Sequence, residues 1–297
     1  MFDQFKKIST GEWLAQIEKE LGSQRKLEDT RIKIGEHITL FPFLDESSRK
    51  SHSSVHSWPS EVRSAIPVKR YTTNEQILKL LSLGAGAIYF QEDVKIIKEQ
   101  LLKGIEPGFI SWIGYKGHAL PELLNEKIKG KDRINKIEIY EYPNEKHIIQ
   151  TGKFYEIDDY SKNVLSILNN VIPCGMIIIE LSNHILFQIA LLRAIRLYTQ
   201  KKNMINDVKI LAICRHTAQY AEERLISETL QSISARLGGA HYISFEPVMD
   251  EEKDFSREKI HIQNILDFET QLNRISDPVA GSYVLENLTE QILDLWL

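Results

Sequence analysis

The strongest indication of the fold class lies in residues 175–214, GMIIIELSNHILFQIALLRAIRLYTQKKNMINDVKILAIC. Two runs of mostly apolar residues, MIIIEL (176–181) and VKILAIC (208–214), flank a long segment that begins at residue 182. A strand that is apolar at successive positions is covered on both faces, which is typical of a parallel sheet. The stretch therefore predicts a strand–helix–strand unit with two parallel strands.

The same alternation continues on both sides of this unit. Further strands are predicted for AIYF (87–90), GFISWIGY (108–115), KIEIYEY (136–142) and HYISFEPV (241–248), with helical patterns between them. The helix predicted for 221–239 carries Ile226, Leu230, Ile233 and Leu237 in line on one face. About seven β–α units favour an α/β fold that closes as a (β/α)8 TIM barrel over an open sheet. We expect an N-terminal arm over 1–66 and the barrel over 67–297.

Composition and charge exclude several classes of protein. The chain has 297 residues, 42% hydrophobic and 26% charged, with a net charge of −4. This balance is typical of a globular domain, and the charge predicts neither a nucleic-acid partner nor a membrane partner. No apolar run is long enough to span a bilayer, and the N-terminus has no signal core. We therefore expect a cytoplasmic protein with two reduced core thiols, Cys174 and Cys214.

The N-terminal arm predicts a capped helix followed by irregular chain. Ser9 and Glu12 fit a capping box, and ITLFPFLD (38–45) is typical of a short extended piece. His52 and His56 could meet on one helix face as metal ligands, but the surrounding SSRKSHSSVHSWPS is so rich in serine that a solvated loop is the preferred interpretation. No metal site is predicted.

Candidate chemistry lies where the predicted strands end, because working residues of such barrels sit at the C-terminal ends of the strands. Polar side chains at these ends give four candidate barrel-mouth residues: Arg215, His216, Glu180 and Tyr142. Alternatively, these four residues are polar side chains that fill the mouth of a barrel that has lost its catalytic function. Neither GxGxxG nor GxxxxGK[ST] occurs, so no nucleotide loop is predicted.

The last part of the chain carries a specific resemblance. KIHIQNILDFETQLNRISDPVAGSYVLENLTEQI (259–292) resembles the end of the barrel domain in methylmalonyl-CoA mutases. The matching residues are Asn264, Glu269, Asp277, Pro278, Gly281, Ser282, Tyr283, Glu286, Leu288 and Thr289. The long helix after residue 182 is similar to a family helix at Phe187, Ile189, Arg193, Ala194, Arg196 and Leu197, and LQSISARLGG (230–239) is similar to a family segment that ends in Leu-Gly-Gly.

The resemblance implies a radical rearrangement of an acyl-CoA thioester with adenosylcobalamin. In the family the barrel holds the substrate along its axis, and a separate C-terminal domain with an Asp-x-His-x-x-Gly motif holds the cobalamin. That motif does not occur here, and the chain stops at Leu297 within an apparent helix that has no Gly or Pro stop. We therefore expect no cobalamin-binding domain and no cofactor bound by this chain, and the missing stop suggests truncation at Leu297.

The catalytic positions implied by the resemblance are occupied by other residues. A family histidine that binds the thioester carbonyl matches Ser244, and a family arginine that pairs with the substrate carboxylate matches Ser227. Serine cannot replace a bidentate guanidinium. No catalytic residue is therefore expected.

The family loop at residues 277–283 is expected to be structural. A turn is predicted at Asp277 and Pro278, and Ser282 is expected to cap the next helix. The residues of this loop that match the family are Asp277, Pro278, Gly281, Ser282 and Tyr283.

The resemblance and these departures together favour the small subunit of a heterodimeric mutase. In this interpretation the chain is an isomerase subunit, expected to be inactive when isolated, that stabilises a large catalytic subunit carrying adenosylcobalamin. Two alternatives stay open. One is an enzyme, either an acyl-CoA-binding barrel that acts as an isomerase with a separately encoded cobalamin subunit or a lyase that uses the barrel mouth alone. The other is a homodimeric binding module. Acyl-CoA binding and a homodimer of the isolated chain are left undecided by the residues.

Overall fold

The computed structural model of the chain describes residues 8–22, 25–34, 37–48, 55, 58–69, 71–91, 99–115, 124, 139–142, 148–150, 164–165, 168–169, 175–202, 208–215, 220–246 and 256–297. The helices within these ranges are α1 (Thr10–Leu21), α2 (Asn74–Ser82), α3 (Ile185–Lys201), α4 (Ala221–Leu237), α5 (Ser256–Phe268) and α6 (Tyr283–Asp294). The strands are β1 (Ile32–Ile34), β2 (Ile38–Leu40), β3 (Arg63–Val68), β4 (Ala87–Phe90), β5 (Ser111–Tyr115), β6 (Ile139–Tyr142), β7 (Ile148–Gln150), β8 (Met176–Glu180), β9 (Lys209–Cys214) and β10 (Tyr242–Phe245). Among these helices, none is both long and apolar enough to cross a membrane.

Eight parallel strands form one curled sheet in the order β6-β5-β4-β3-β10-β9-β8-β7. The first strand of the sheet along the chain, β3, pairs with the last, β10, through the register Ser244↔Ala65. Strands that follow chain order and pair first with last are the topology of a (β/α)8 barrel. The predicted α/β fold of the TIM-barrel type is confirmed.

Two strands of the sheet have no clear signal in the sequence. One is β7, which is only three residues long. The other is β3, whose sequence RSAIPV contains Pro67, a residue that argues against a strand within a sheet. Because β3 starts at Arg63, the sheet crosses the expected boundary between the arm and the barrel at residues 66 and 67.

Three apolar clusters pack against the sheet, two on its outer face and one inside the barrel. The largest packs the outer faces of β8, β9 and β10 against α3, α4 and α6, and a second packs β3, β4 and β5 against α2 and α5. The third fills the barrel interior, where alternate residues of the strands meet. Its members are Ala65, Ala87, Tyr89, Ile113, Met176, Ile178, Leu211, Ile213 and Tyr242.

Part of the N-terminal arm docks on the barrel. The capping box of α1 forms as predicted at Ser9 and Glu12, and Trp13 stacks on Phe43 with ring centroids 4.5 Å apart. In β2, the Thr39 backbone N–H donates to Gln291 Oε1 at 2.8 Å, and Gln291 Nε2 donates to the Thr39 carbonyl at 2.9 Å. These two hydrogen bonds join the arm to α6.

His52 and His56 lie outside the described residues, so the predicted solvated loop stays a prediction.

Candidate functional site

The C-terminal ends of β8, β9 and β10 bring three charged side chains together at the barrel mouth. Arg215 Nη1 lies 2.5 Å from Glu180 Oε2, and Arg215 Nε lies 3.5 Å from Glu246 Oε2. Neighbouring parallel strands end at the same edge of the sheet, so residues that follow each strand become neighbours in space. Two of the four candidate mouth residues, Arg215 and Glu180, are therefore in direct contact.

Burial and the arginine act in opposite directions on the Glu180 carboxyl. Burial raises the pKa of Glu180 above its ordinary value of 4.5, and the hydrogen bond and charge of Arg215 only partly offset this effect. The guanidinium therefore faces two carboxylates, one of which is costly to ionise. The positive charge of Arg215 at the barrel mouth is therefore neutralised by two carboxylates of the same chain.

A second layer of polar contacts holds the segment that carries Arg215. Gln231 of α4 accepts the Arg215 backbone N–H at 2.8 Å through Oε1 and donates through Nε2 to the Arg215 carbonyl at 3.1 Å. The same Nε2 lies 3.0 Å from Asn183 Oδ1, to which Ser227 Oγ donates at 2.5 Å. Ser227 thus joins α4 to the β8–α3 loop. It lies in the second turn of α4 rather than the first, because α4 begins at Ala221.

Ser244 lies inside the barrel, below the mouth. Its backbone is in register with Ile213 of β9 and Ala65 of β3, two members of the interior cluster. The residue is fully buried, and its hydroxyl has no hydrogen-bond partner among the described residues. The position that resembles the family's thioester-binding histidine therefore holds a small, enclosed side chain.

The two remaining mouth candidates are not placed by the structure. His216 lies outside the described residues. For Tyr142 the backbone is described, paired with Tyr115 at the ends of β6 and β5, whereas its side chain is not. Their proposed roles stay predictions.

The sequence does not reveal the contacts of Glu246, Asn183 and Gln231. Glu246 lies near the end of the predicted strand 241–248, and Gln231 stands four residues after Ser227 on one helix face, but no local pattern singles out Gln231 as a neighbour of Arg215. Within the described part of the chain, no group of three or more His, Cys, Asp or Glu residues could hold a metal ion.

The 277–283 loop contacts the outer helices. Asp277 accepts from Arg193 of α3, and Val279 packs in one cluster with Ile189 and Leu285. These contacts lie on the outside of the barrel, and the structural role of the loop stays a prediction.

The start of α6 departs from the predicted capping. Ser282 occupies the N-cap position, but its side chain makes no capping hydrogen bond. Instead, Glu286 Oε1 accepts the Gly281 backbone N–H at 2.9 Å. The expected serine cap is therefore wrong, and a glutamate that reaches back to the loop replaces it.

The Leu-Gly-Gly segment has a steric explanation. A Cβ on Gly238 would lie 2.6 Å from Leu192 Cβ, and a Cβ on Gly239, where φ is +83°, would lie 2.6 Å from Arg196 Nε. Arg196 Nε donates to the Gly239 carbonyl at 2.7 Å. The two glycines let α4 end against α3, so this part of the resemblance concerns packing.

Comparison with known proteins supports this assignment of the C-terminal part. The sequence profile of the family described as methylmalonyl-CoA mutase matches residues 177–295. The Escherichia coli (strain K12) methylmalonyl-CoA mutase is 35% identical over 99 residues. The match covers 29% of this chain and only 14% of that relative. Residues 177–295, which run from β8 to α6 and include the charged mouth, are therefore similar to the methylmalonyl-CoA mutase family.

Proposed function

We propose that this chain is a small, non-catalytic subunit of an adenosylcobalamin-dependent methylmalonyl-CoA mutase and that it stabilises a large catalytic subunit. The observation that carries the proposal is Ser244. At the position that resembles the family's thioester-binding histidine, the chain has a fully buried serine inside the barrel. Serine provides a short hydroxyl at this position in place of an imidazole, so the longer, ionisable donor that the family histidine aims at the thioester oxygen is replaced.

The charges at the mouth support the same role. A substrate carboxylate would have to compete for Arg215 with Glu180 at 2.5 Å and with Glu246 at 3.5 Å. Displacing them would leave two carboxylates in a partly desolvated place. Ser227, at the family's arginine position, is held by Asn183 and offers no charge.

The packed interior of the barrel supports the same non-catalytic role. Large side chains of the interior cluster, including Tyr89, Met176 and Tyr242, occupy the described part of the interior. At its lower end Arg63 Nη1 donates to Ser111 Oγ at 2.8 Å, and Tyr242 Oη donates to the same oxygen at 3.1 Å. A substrate arm along this axis would have to displace these packed side chains.

Adenosylcobalamin does not fit the described residues of the mouth. The hydrogen-bonding groups of Arg215, Glu180, Gln231, Asn183 and Ser227 are bound to one another, so they offer a corrin amide few donors or acceptors. The cofactor would be held by the large subunit in this proposal. No step of the reaction is assigned to this chain.

Reconstitution tests the proposal. The chain is mixed with the cobalamin-binding mutase subunit of the same organism and analysed by size-exclusion chromatography with light scattering. A one-to-one complex whose mutase turnover and thermal stability exceed those of the large subunit alone is expected. Two separate peaks, with no effect on the large subunit, would contradict the proposal.

A second set of measurements distinguishes this proposal from the alternative that the chain is itself an isomerase. In the complex, the variants Ser244→Ala and Arg215→Gln should leave turnover unchanged, whereas a chain that works on substrate itself would lose activity. Calorimetric titration of the isolated chain with succinyl-CoA should give no binding signal, which separates this proposal from an acyl-CoA-binding barrel.

A further inference from the structure

A buried histidine lies at the N-terminal end of the barrel, opposite the mouth. His241 stands directly before β10 and is 7% exposed. Its backbone N–H donates to the Ile210 carbonyl of β9 at 2.9 Å, and its carbonyl accepts the Arg63 N–H of β3 at 2.9 Å. Because β3 and β10 are the first and last strands of the sheet along the chain, His241 lies at the seam where the barrel closes.

The contacts of the His241 imidazole select one protonation state. The Ile210 N–H donates to Nδ1 at 3.1 Å. Arg196 Nη2 of α3 lies 3.0 Å from the same nitrogen and 3.3 Å from Nε2, so the guanidinium lies against the ring. Backbone N–H and guanidinium groups donate and do not accept, so Nδ1 must offer its lone pair. The neutral ring with its single proton on Nε2 is the form that fits these contacts.

A second proton on this ring is unfavourable. It would have to bind Nδ1, where it would face the Ile210 N–H and remove that hydrogen bond. The imidazolium would also place a positive charge 3.0 Å from the Arg196 guanidinium, and both side chains are buried. Burial and a nearby like charge both disfavour the charged form of a histidine.

The charged residues of the surrounding elements are cations or paired acids, as far as the structure describes them. Arg63 and Lys209 open β3 and β9, and Arg236 lies in the last turn of α4. The acids next to these elements each pair with a cation, so they offer little charge to an imidazolium. The pairs are Glu61 with Arg63, Asp267 with Arg236 and, nearer the mouth, Glu228 Oε1 with Lys259 Nζ at 2.9 Å.

Arg196 links the histidine to the segment before β3. Its Nε donates to the Gly239 carbonyl at 2.7 Å, and its guanidinium lies over the Trp58 ring, with Cζ 5.7 Å from the ring centroid. Trp58 is also close to Gly239, because a Cβ there would lie 3.0 Å from Trp58 Cη2. We call Trp58, Arg196, Gly239 and His241 the floor cluster. The neutral imidazole thus helps to hold the arginine against which the tryptophan packs.

We propose that the floor cluster is an acid-sensitive latch on the closing seam of the barrel. While His241 is neutral, its ring accepts the Ile210 N–H and Arg196 stays against Trp58. When His241 takes up a second proton, the imidazolium repels Arg196 and loses the Ile210 N–H, so the segment at Trp58 loosens and the seam between β3 and β10 weakens.

The sign of the pH dependence follows from the form that fits. Because the folded chain favours the neutral ring, the contribution of His241 to stability is present above about pH 6.5, where the histidines of an unfolded chain titrate. It is lost as the pH falls below that value. The latch does not depend on the non-catalytic role proposed above, since no substrate and no partner takes part in it.

Nuclear magnetic resonance of the full chain with 15N-labelled histidine tests the protonation state. The exposed His37 is the internal reference, and the two rings are identified by the signals that His241→Asn and His37→Asn remove. We expect a proton on Nε2 of His241 at about pH 7.5 and a second proton only at a lower pH than for His37. A proton on Nδ1 at about pH 7.5 overturns the proposal, and so does a second proton at the same pH as His37 or a higher one.

The variant His241→Asn separates the latch from general acid unfolding. An asparagine oxygen in the place of Nδ1 accepts the Ile210 N–H and is not protonated in this range. Between about pH 7.5 and about pH 5.5, the melting temperature of the wild type and of His37→Asn should fall by about 3 °C more than that of His241→Asn. An equal fall in all three chains overturns the latch.

Hydrogen exchange on the wild-type chain gives a readout that needs no variant to fold. The amides of Ile210 and Arg63 should lose protection at least about tenfold as His241 takes up its second proton, after correction for the effect of pH on free amides. Either amide staying fully protected while His241 is doubly protonated overturns the proposal. In His241→Asn the protection of both amides should stay constant over the same pH range.

Discussion

Arg193 and Asp277 form a buried, two-pronged ion pair between α3 and the loop before α6. Arg193 Nε lies 3.2 and 3.0 Å from the two carboxylate oxygens, and Nη2 lies 2.9 Å from Oδ2. Both side chains are buried, and Asp277 has a φ of +48°. Asp277 thus combines a left-handed backbone conformation with the negative charge that neutralises Arg193 of α3.

Removing the Asp277 carboxylate should destabilise the protein strongly. Asp277→Ala leaves a buried guanidinium without its counter-charge and places an alanine in the left-handed region. We expect a loss of about 3–5 kcal/mol in the free energy of unfolding, measured by urea denaturation. Asp277→Asn tolerates the same backbone and should lose less. Equal losses for both variants would contradict a contribution from the turn geometry.

The Glu228–Lys259 pair should show strong coupling. Lys259→Met leaves a buried carboxylate without its partner and should cost about 3–5 kcal/mol, whereas the double variant Glu228→Gln with Lys259→Met should recover most of this loss. A double-mutant cycle from thermal or urea unfolding measures the coupling. Additive effects of the two single changes would mean that the two groups do not interact.

Ser244 should tolerate the loss of its hydroxyl. Because its Oγ has no partner among the described residues, Ser244→Ala should leave the unfolding free energy unchanged or raise it by up to about 1 kcal/mol. Ser111→Ala is the matched control, since Ser111 Oγ accepts from Arg63 and Tyr242 and its loss should cost about 1–2 kcal/mol. Ser244→His should cost about 1–3 kcal/mol by overpacking. A stabilising histidine would indicate an open pocket at this position.

Cys214 should be unreactive in the folded protein. Burial raises the pKa of its thiol from 9.0 to about 12. Iodoacetamide at about pH 8 should therefore leave the Cys214 peptide unlabelled until denaturant is added, as followed by mass spectrometry. The folded pKa is raised, so this contribution to stability is present below pH 9.0 and is lost as the pH rises towards 12. Cys214→Ala should remove that part of the alkaline destabilisation.

Arg215→Gln should have an effect that depends on pH. The pKa of Glu180 is raised by burial even with Arg215 present, and it should rise further when the arginine is removed. A raised carboxyl pKa means that stability is present below the ordinary pKa of 4.5 and is lost as the pH rises through the folded value. The difference in melting temperature from the wild type should thus be small near about pH 4 and larger near about pH 7. Adding Glu180→Gln should remove this pH dependence, and a difference that stays constant with pH would contradict the assignment.

The sequence pattern alone predicts those helices and strands that carry a capping box or a continuous apolar run. The capping box of α1 and the apolar runs of β8 and β9 are local features, and the structure has them where the pattern predicts them. Periodicity does not find β3, because Pro67 argues against a strand, or β7, because three residues carry no period. Both strands exist because the curled sheet supplies their partners.

The sequence predicts only those residues of the candidate site that lie at the ends of apolar strands. Arg215 and Glu180 stand out because each ends or follows an apolar run, and parallel strands bring such ends together. Their neighbour Gln231 does not stand out, because it lies in the middle of a helix and its role comes from the α4 contact with the β9 end. The serine capping rule likewise fails at α6, where Glu286 accepts the Gly281 N–H and no Ser282 cap forms.

Residue type and spacing are enough to predict the barrel class, the family resemblance of the C-terminal part and the serines at positions 227 and 244. The direction in which each side chain faces depends on tertiary contacts. Ile226 and Leu230 of α4 would face the core in an ordinary helix, but they are exposed. Glu228 and Arg236 of the same helix are buried in ion pairs with α5. Periodicity gives the angle between side chains on a helix, whereas the rotation of the helix is set by contacts with its neighbours.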